Sequence, residues 1–120
     1  MAITGAHALL YTSEPEAVRS VLRDVFGWHH VDAGEGWLIF ALPPAELGVH
    51  PEDGPISAGQ ATHRLSLICD DLDATMAEQR DKGIAFVGEP RNQGYGIATT
   101  MILPGGLHID LYEPRHPTAI

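Results

Sequence analysis

The chain has 120 residues, the size of one domain with a single core, and its 44% hydrophobic content argues against disorder. Sixteen Asp and Glu residues against seven Lys and Arg residues give a formal net charge of -9. This charge repels nucleic-acid phosphates and anionic lipid surfaces, so neither is an expected partner. The one cysteine, Cys69, lies in an apolar run, which favours a buried thiol in a reducing compartment. With no signal peptide or membrane span recognisable, we expect a cytoplasmic protein.

The first part of the chain predicts one βαβββ unit at about residues 4–50. Residues 4–11 form an apolar run suited to a strand. Ser13 and Glu16 have the spacing of a capping box, and the apolar residues that follow recur at helical spacing until Gly27, which suits a left-handed helix C-cap. Three short strands are then predicted at 28–32, 36–42 and 46–50.

A second βαβββ unit is predicted at about residues 61–113, after a linker at 51–60 that is rich in Gly and Pro. Its first strand spans 62–69, and Asp70 or Asp71 then supplies the N-cap of a helix. The remaining segments are strands at about 84–88, 96–103 and 107–113 and a surface tail at 114–120.

The two units repeat one pattern. His7 and His63 each stand in an apolar strand, 20 residues before the glycine that closes the following helix. A unit that cannot bury its apolar face alone packs against its twin, and side chains from both can converge on a ligand at the seam. The sequence therefore predicts a single α+β domain, 1–120, in which two βαβββ units form a curved, mainly antiparallel sheet around a cavity.

Three segments carry a family resemblance that covers nearly the whole chain. They are Cys-Asp-Asp-Leu-Asp-Ala at 69–74, Asp-Lys-Gly at 81–83 and Leu-Pro-Gly-Gly-Leu-His-Ile-Asp-Leu-Tyr-Glu at 103–113. With the paired βαβββ pattern, they resemble the vicinal oxygen chelate superfamily, which includes glyoxalase I, extradiol dioxygenases, fosfomycin-resistance transferases and bleomycin-resistance proteins. The resemblance implies a glyoxalase-like fold, a small-molecule ligand and a homodimer, either side by side or with units exchanged between chains.

Metal-dependent members of that superfamily hold a divalent ion that chelates two neighbouring oxygens of a substrate. The resemblance implies a site for Zn, Fe, Ni, Co or Mn at His7, His50, His63 and Asp110. At two of these four positions, the sequence does not decide which residue faces the site. Arg64 competes with His63 for the inward-facing position, because successive strand residues face opposite sides. His108 lies two residues before Asp110 on the same strand face and is an alternative or additional ligand.

Aromatic residues beside Gly-rich turns suit the wall of a pocket for a planar ligand, since rings supply contact area at little entropic cost. Trp37 and Tyr95 border such turns. The residues expected to contact a ligand are Trp37, Arg64, Tyr95, His108 and Tyr112. Glu113 is three residues beyond Asp110, on the opposite strand face, and we assign it no catalytic role; His116 is expected at the surface.

These residues are compatible with two different functions. The sequence favours a glyoxalase-like small-molecule enzyme, a metal-dependent lyase, isomerase or dioxygenase. The alternative is a metal-free protein that sequesters a hydrophobic or aromatic compound such as an antibiotic, and an inward-facing Arg64 would favour it. Phosphate-binding glycine loops, a Gly-x-Ser-x-Gly motif and a Cys-x-x-Cys pair do not occur in the sequence, which argues against nucleotide-binding, hydrolase and redox functions.

Overall fold

A computed structural model of the protein describes residues 6–50 and 63–120. Its elements in chain order are α1 (Pro15–Ser20), a π-helical turn (Val21–Val25), β1 (His30–Asp32), β2 (Leu38–Phe40), β3 (Ser66–Ile68), α2 (Leu72–Asp81), β4 (Ala85–Asn92), β5 (Gly96–Leu103), a 3-10 turn (Pro104–Gly106) and β6 (Leu107–Pro114). The longest helix, α2, has ten residues, and no helix in the described ranges has the length and apolar character of a membrane span.

The strands form two sheets, a two-stranded β1–β2 sheet and a four-stranded sheet in the order β3-β6-β5-β4. In the larger sheet, β5 and β6 pair antiparallel over all eight residues of each strand. On the far side of β6, the short β3 runs parallel to it, with Ser66 opposite Asp110. A parallel pair needs a crossover connection, which α2 supplies here. The order β3-α2-β4-β5-β6 is therefore a complete βαβββ unit.

The apolar core lies between the helices and one face of the four-stranded sheet. Alternate residues of β5 and β6 point to this face, as the two-residue period of a strand requires. The helical segment of the first half also packs into it, so the two halves share one core. The buried members are Val18, Leu22, Leu72, Met76, Ile84, Met101, Leu103, Ile109 and Leu111.

Two carboxylates hold the N-terminus of α2. Asp71 is the N-cap, and its Oδ1 accepts a hydrogen bond from the Ala74 N–H at 3.0 Å. Glu113 of β6 accepts from the Leu72 N–H through Oε1, also at 3.0 Å. Because helix termini leave backbone donors unpaired, these bonds fix where α2 begins and tie it to the sheet. The Glu113 side chain thus reaches the helix side of the sheet, opposite to Asp110.

The first helix begins later than the sequence predicts. The capping box of Ser13 and Glu16 does not form, because the N-cap residue is Glu14, whose side chain makes no capping bond. The Thr12 hydroxyl takes part instead: it accepts from the Glu14 N–H at 3.2 Å and donates to the Pro104 carbonyl at 3.2 Å. A tertiary contact with the β5–β6 turn therefore replaces the local cap.

The β5–β6 turn approaches the start of α1 closely enough to require glycine. Gly105 has a φ of +80°, which favours glycine, and a Cβ there would collide with the Thr12 hydroxyl. The same residue thus permits both the turn and the contact between the two halves of the chain.

The first half forms fewer strands than the sequence predicts. No strand forms within 6–12 or 41–50, so the strands predicted at the start and end of the first unit are wrong for the described residues. Pro43 and Pro44 supply no backbone N–H to a ladder, which disfavours a strand there. The predicted linker, 51–60, lies outside the described residues.

Thr99 and Thr100 offer a direct test of the two sheet faces. The Thr99 hydroxyl is fully buried and finds no hydrogen-bond partner among the described residues. The Thr100 Oγ1, on the other face, donates to Asp110 Oδ1 at 2.8 Å.

Because an unpaired buried hydroxyl gains nothing from folding, we expect Thr99→Val to keep or raise the free energy of unfolding. Thr100→Val should lower it by about 1 kcal/mol, the net contribution of one hydrogen bond. Urea unfolding of both variants measures the difference. Equal destabilisation by the two substitutions would contradict this assignment of faces.

Candidate functional site

A groove of about 390 Å³ lies along β6, beside the residues that precede β3, and we name it the sheet groove. Its volume is at the small end of the range for small-molecule sites. The polar lining residues are His63, Arg64, Thr100, His108 and Asp110. The apolar ones are Leu10, Leu65, Leu107 and Ile109. Residues of both halves of the chain therefore meet here, since Leu10 precedes α1 and the others belong to the second half.

The floor of the sheet groove is set by strand register. Thr100 and Asp110 are directly opposite each other on β5 and β6. Their hydrogen bond joins Thr100 Oγ1 to Asp110 Oδ1 at 2.8 Å and holds the half-buried carboxylate to the sheet. His108 stands two residues before Asp110 and shares its face. This part of the site rests on paired strands and is preorganised.

The sequence left open whether His63 or Arg64 faces the site, and both residues lie in the wall of the groove. His63 and Arg64 precede β3, and both are exposed and line the groove. The pairing register of β3 with β6 excludes neither His63 nor Arg64 from the groove lining. The ion pairs formed by the described residues are Arg23–Asp24 and Lys82–Glu78. Within the described part of the chain, the Arg64 guanidinium therefore has no carboxylate partner, and it carries a permanent positive charge.

The four residues predicted as metal ligands do not meet in one place. His63 and Asp110 line the sheet groove, whereas His7 and His50 are exposed and are not part of its lining. In residues 6–50 and 63–120, no three His, Cys, Asp or Glu side chains are placed to hold a metal ion. The described residues of one chain thus do not fit the divalent ion that the family resemblance implies. We derive no reaction step through a metal.

All three aromatic residues predicted to contact a ligand, Trp37, Tyr95 and Tyr112, lie outside the groove lining. Trp37 is 67% exposed, and the Arg19 guanidinium stacks on its ring with 4.7 Å between Cζ and the ring centroid. Trp37 neighbours a second, shallower depression of about 350 Å³ between α1 and the β1–β2 sheet. This depression is lined by Glu16, Arg19, Ser20, Arg23, Asp32, Gly36 and Leu38.

Tyr95 and Tyr112 form an aromatic cluster with the C-terminal tail. Their rings meet edge to face, with centroids 5.4 Å apart. Because the Pro117 carbonyl can only accept, His116 Nδ1 is the donor in their 2.8 Å bond, and His116 Nε2 accepts from the Tyr112 hydroxyl at 3.1 Å. Burial raises the pKa of Tyr112, with the Glu46 carboxylate as the next cause. The sequence had given His116 no such partner.

Sequence reasoning missed Thr100, although a usable signal was present. The Pro-Gly-Gly segment at 104–106 predicts a tight connection between two strands. Counting outward from Gly105, Thr100 and Asp110 are both five residues away, which is the register that the structure shows. Leu10 carried no comparable signal, because its place in the groove depends on how the two halves pack.

A complete βαβββ unit with a groove along its last strand agrees with the vicinal oxygen chelate fold that the sequence resembles. No model of a known protein family matches the sequence, and no curated protein matches it either. Solved structures, however, match over almost the full chain.

One similar structure is TnmS3, an antibiotic binding protein from Streptomyces sp. CB03234, with 26% identity, a TM-score of 0.65 and coverage of 95% of this chain and 98% of that one. Another is lactoylglutathione lyase from Agrobacterium tumefaciens, with 19% identity, a TM-score of 0.61 and coverage of 92% of both chains. A third is a glyoxalase/bleomycin resistance protein/dioxygenase superfamily member from Sphaerobacter thermophilus, with 22% identity, a TM-score of 0.60 and coverage of 92% of this chain and 98% of that one. The protein therefore has the glyoxalase-like, vicinal oxygen chelate fold, as the sequence predicted.

Proposed function

We propose that the protein binds a small organic molecule in the sheet groove and holds it by direct contacts with its own side chains. The observation that carries this proposal is the convergence in one groove of two imidazoles, leucine side chains and a guanidinium that has no carboxylate partner among the described residues. Few, well-placed polar groups beside apolar surface are typical of small-molecule sites. The paired strands β5 and β6 keep the floor of the groove in place, so a ligand meets a preformed surface.

The comparisons support this proposal unequally. The similar antibiotic binding protein is 26% identical over nearly the whole of both chains, which favours sequestration of a small compound. The lactoylglutathione lyase is 19% identical, and at that level the likeness supports the fold alone. Binding rather than turnover is therefore the function that we put forward.

The groove can be tested by filling it. His108→Trp places a large ring at an exposed lining position, where it should leave the core intact. Ala77→Trp adds the same side chain at an exposed position of α2, outside the groove, and serves as the matched control. The uncharged fluorescent probe N-phenylnaphthylamine reports binding.

We expect His108→Trp to weaken binding of the probe about tenfold or more, because the ring occupies the space that the probe needs. Ala77→Trp should bind the probe as the unchanged protein does. Fluorescence titration measures both affinities. Identical affinities in the two variants would show that the probe binds elsewhere and would refute the assignment of the groove.

The metal-dependent lyase, isomerase or dioxygenase remains a prediction that a separate experiment decides. Metal content is measured after loading with Zn, Fe, Ni, Co and Mn in turn, and thermal unfolding is followed with and without a chelator. On our proposal, no ion is retained in stoichiometric amount and the melting temperature does not change on chelation. Retention of about one ion per chain, lost in His63→Ala, would contradict direct binding and restore the metal-centred function.

A homodimer is part of the proposal. The β1–β2 sheet has only two strands, and a two-stranded sheet is marginal in water unless something covers it. Large apolar side chains lie exposed around it in the first half of the chain: Leu9, Tyr11, Val31, Trp37, Ile39, Leu42, Leu47 and Val49. A second copy presenting the same surface would cover them, as an isologous dimer does.

We expect Val49→Asp, which places a charge at an 89% exposed apolar position of this surface, to shift the dimer towards monomer. Ile120→Asp is the control, because Ile120 is also exposed but lies at the C-terminus. Analytical ultracentrifugation of both variants over a concentration series measures the dimer dissociation constant. A monomeric unchanged protein, or equal effects of the two substitutions, would disprove this interface.

A further inference from the structure

We infer that the compound bound in the sheet groove is an organic monoanion, with an acidic group held by Arg64 and an apolar body against the leucine side chains. This inference rests on the proposed function and adds the chemical class of the ligand. The charged and apolar side chains of the groove lining point to this class of ligand.

Arg64, Arg91 and Arg115 form no ion pair and no cation–π contact within the described part of the chain. The other four basic side chains are engaged with the protein itself: Arg19 stacks on Trp37, Arg80 stacks on Phe86, Arg23 pairs with Asp24, and Lys82 pairs with Glu78. Arg64 is the one Lys or Arg side chain that lines the sheet groove. In a protein with a net charge of -9, a carboxylate partner for it would be easy to supply, and none is supplied in the described part.

A guanidinium in a groove is matched best by an acidic group. Its planar set of N–H donors forms two parallel, charge-assisted hydrogen bonds to a carboxylate, sulfonate or phosphate. His63 and His108 add ring nitrogens that donate from one position in the neutral form. The polar part of the groove thus offers several donors, and they call for a ligand group that accepts.

One carboxylate limits the charge that the ligand carries. Among the described residues, Asp110 is the single acidic side chain in the lining, and its Oδ1 already accepts from Thr100. Its negative charge opposes every negative charge that a ligand brings, whereas the one guanidinium of the described lining offsets a single charge. A monoanion is therefore favoured over a dianion such as a phosphate monoester.

The rest of the lining calls for an apolar body. Leu10, Leu65 and Leu107 lie along the groove, with Leu10 contributed by the first half of the chain. Apolar contact area of this kind stabilises the part of a ligand that leaves water, whereas a small hydrated anion gains little from it. The ligand class is thus amphiphilic, with one acidic head.

A pair of probes that differ only in the acidic group tests the inference. Anilinonaphthalene sulfonate carries one sulfonate on the ring system of N-phenylnaphthylamine, which is uncharged. Their affinities are measured by fluorescence titration for the unchanged protein, Arg64→Gln, Arg64→Lys and Arg115→Gln. Arg115 is an exposed arginine outside the groove and provides the matched control. Circular dichroism and thermal unfolding verify that each variant is folded.

We expect Arg64→Gln to weaken the sulfonate probe about tenfold or more and to change the affinity of the uncharged probe less than about twofold. Arg64→Lys should retain part of the affinity, because the charge remains while the paired donors are lost. Arg115→Gln should match the unchanged protein. An unaffected sulfonate probe, or equal losses for both probes in Arg64→Gln, overturns the inference.

The same titrations separate this inference from the proposed function. If His108→Trp still abolishes binding of the uncharged probe while Arg64→Gln leaves the sulfonate probe unaffected, the groove binds small molecules but does not select anions. If neither probe responds to His108→Trp, the groove is not the binding site, and both the inference and the proposed function fall.

Discussion

The antiparallel pairing of β5 with β6 is the constraint on which the rest of the structure depends. The two strands pair over eight residues each, and the turn at Pro104–Gly106 fixes their register. Because side chains alternate between faces, this register sends Met101 and Leu111 into the core and Thr100 and Asp110 to the sheet groove. A slip of one residue would exchange the two sets and bury a carboxylate in the core.

The same turn connects the two halves of the chain. The Pro104 carbonyl accepts from the Thr12 hydroxyl, and the absence of a side chain at Gly105 lets the start of α1 approach. Val18 and Leu22 then complete the core that α2 and the sheet begin. This contact also bears on the sheet groove, because Leu10, which lies just before Thr12 in the chain, is part of the groove lining. The contact of Thr12 with the turn at Pro104–Gly106 therefore supports both the packing of the core and the shape of the ligand site.

The second half was the more predictable from sequence. The strand predicted at 96–103 forms over Gly96–Leu103, and the one at 107–113 forms over Leu107–Pro114, because a Pro-Gly-Gly turn and alternating side chains act locally. The strand predicted at 62–69 is shorter, Ser66–Ile68, since only these residues pair with β6. In the first half, the strands predicted at 28–32 and 36–42 form over His30–Asp32 and Leu38–Phe40, whereas those predicted at 4–11 and 46–50 do not form in the described residues.

The site shows the same division between local pattern and packing. His63, Arg64, His108 and Asp110 were found from sequence because each stands at a counted distance from a cap or a turn, and the structure brings all four to the sheet groove. Trp37 and Tyr95 were chosen for their nearby glycines, a feature that does not determine the direction of a side chain. Trp37 stacks with Arg19, and Tyr95 packs on Tyr112. His7 and His50 were chosen from sequence in the same way and lie outside the groove lining, so a counted position did not by itself predict which residues line the groove.

The most direct test of the account is the map of backbone amide chemical shifts in the isotope-labelled protein during titration with anilinonaphthalene sulfonate. We expect the largest shifts at the amides of Arg64, Thr100 and Asp110, which line one groove. Amides of Val31 and Trp37 should stay close to their starting positions, because they lie outside it. Shifts concentrated on the β1–β2 sheet, with Arg64 and Asp110 unchanged, would contradict the central claim that the sheet groove is the ligand site.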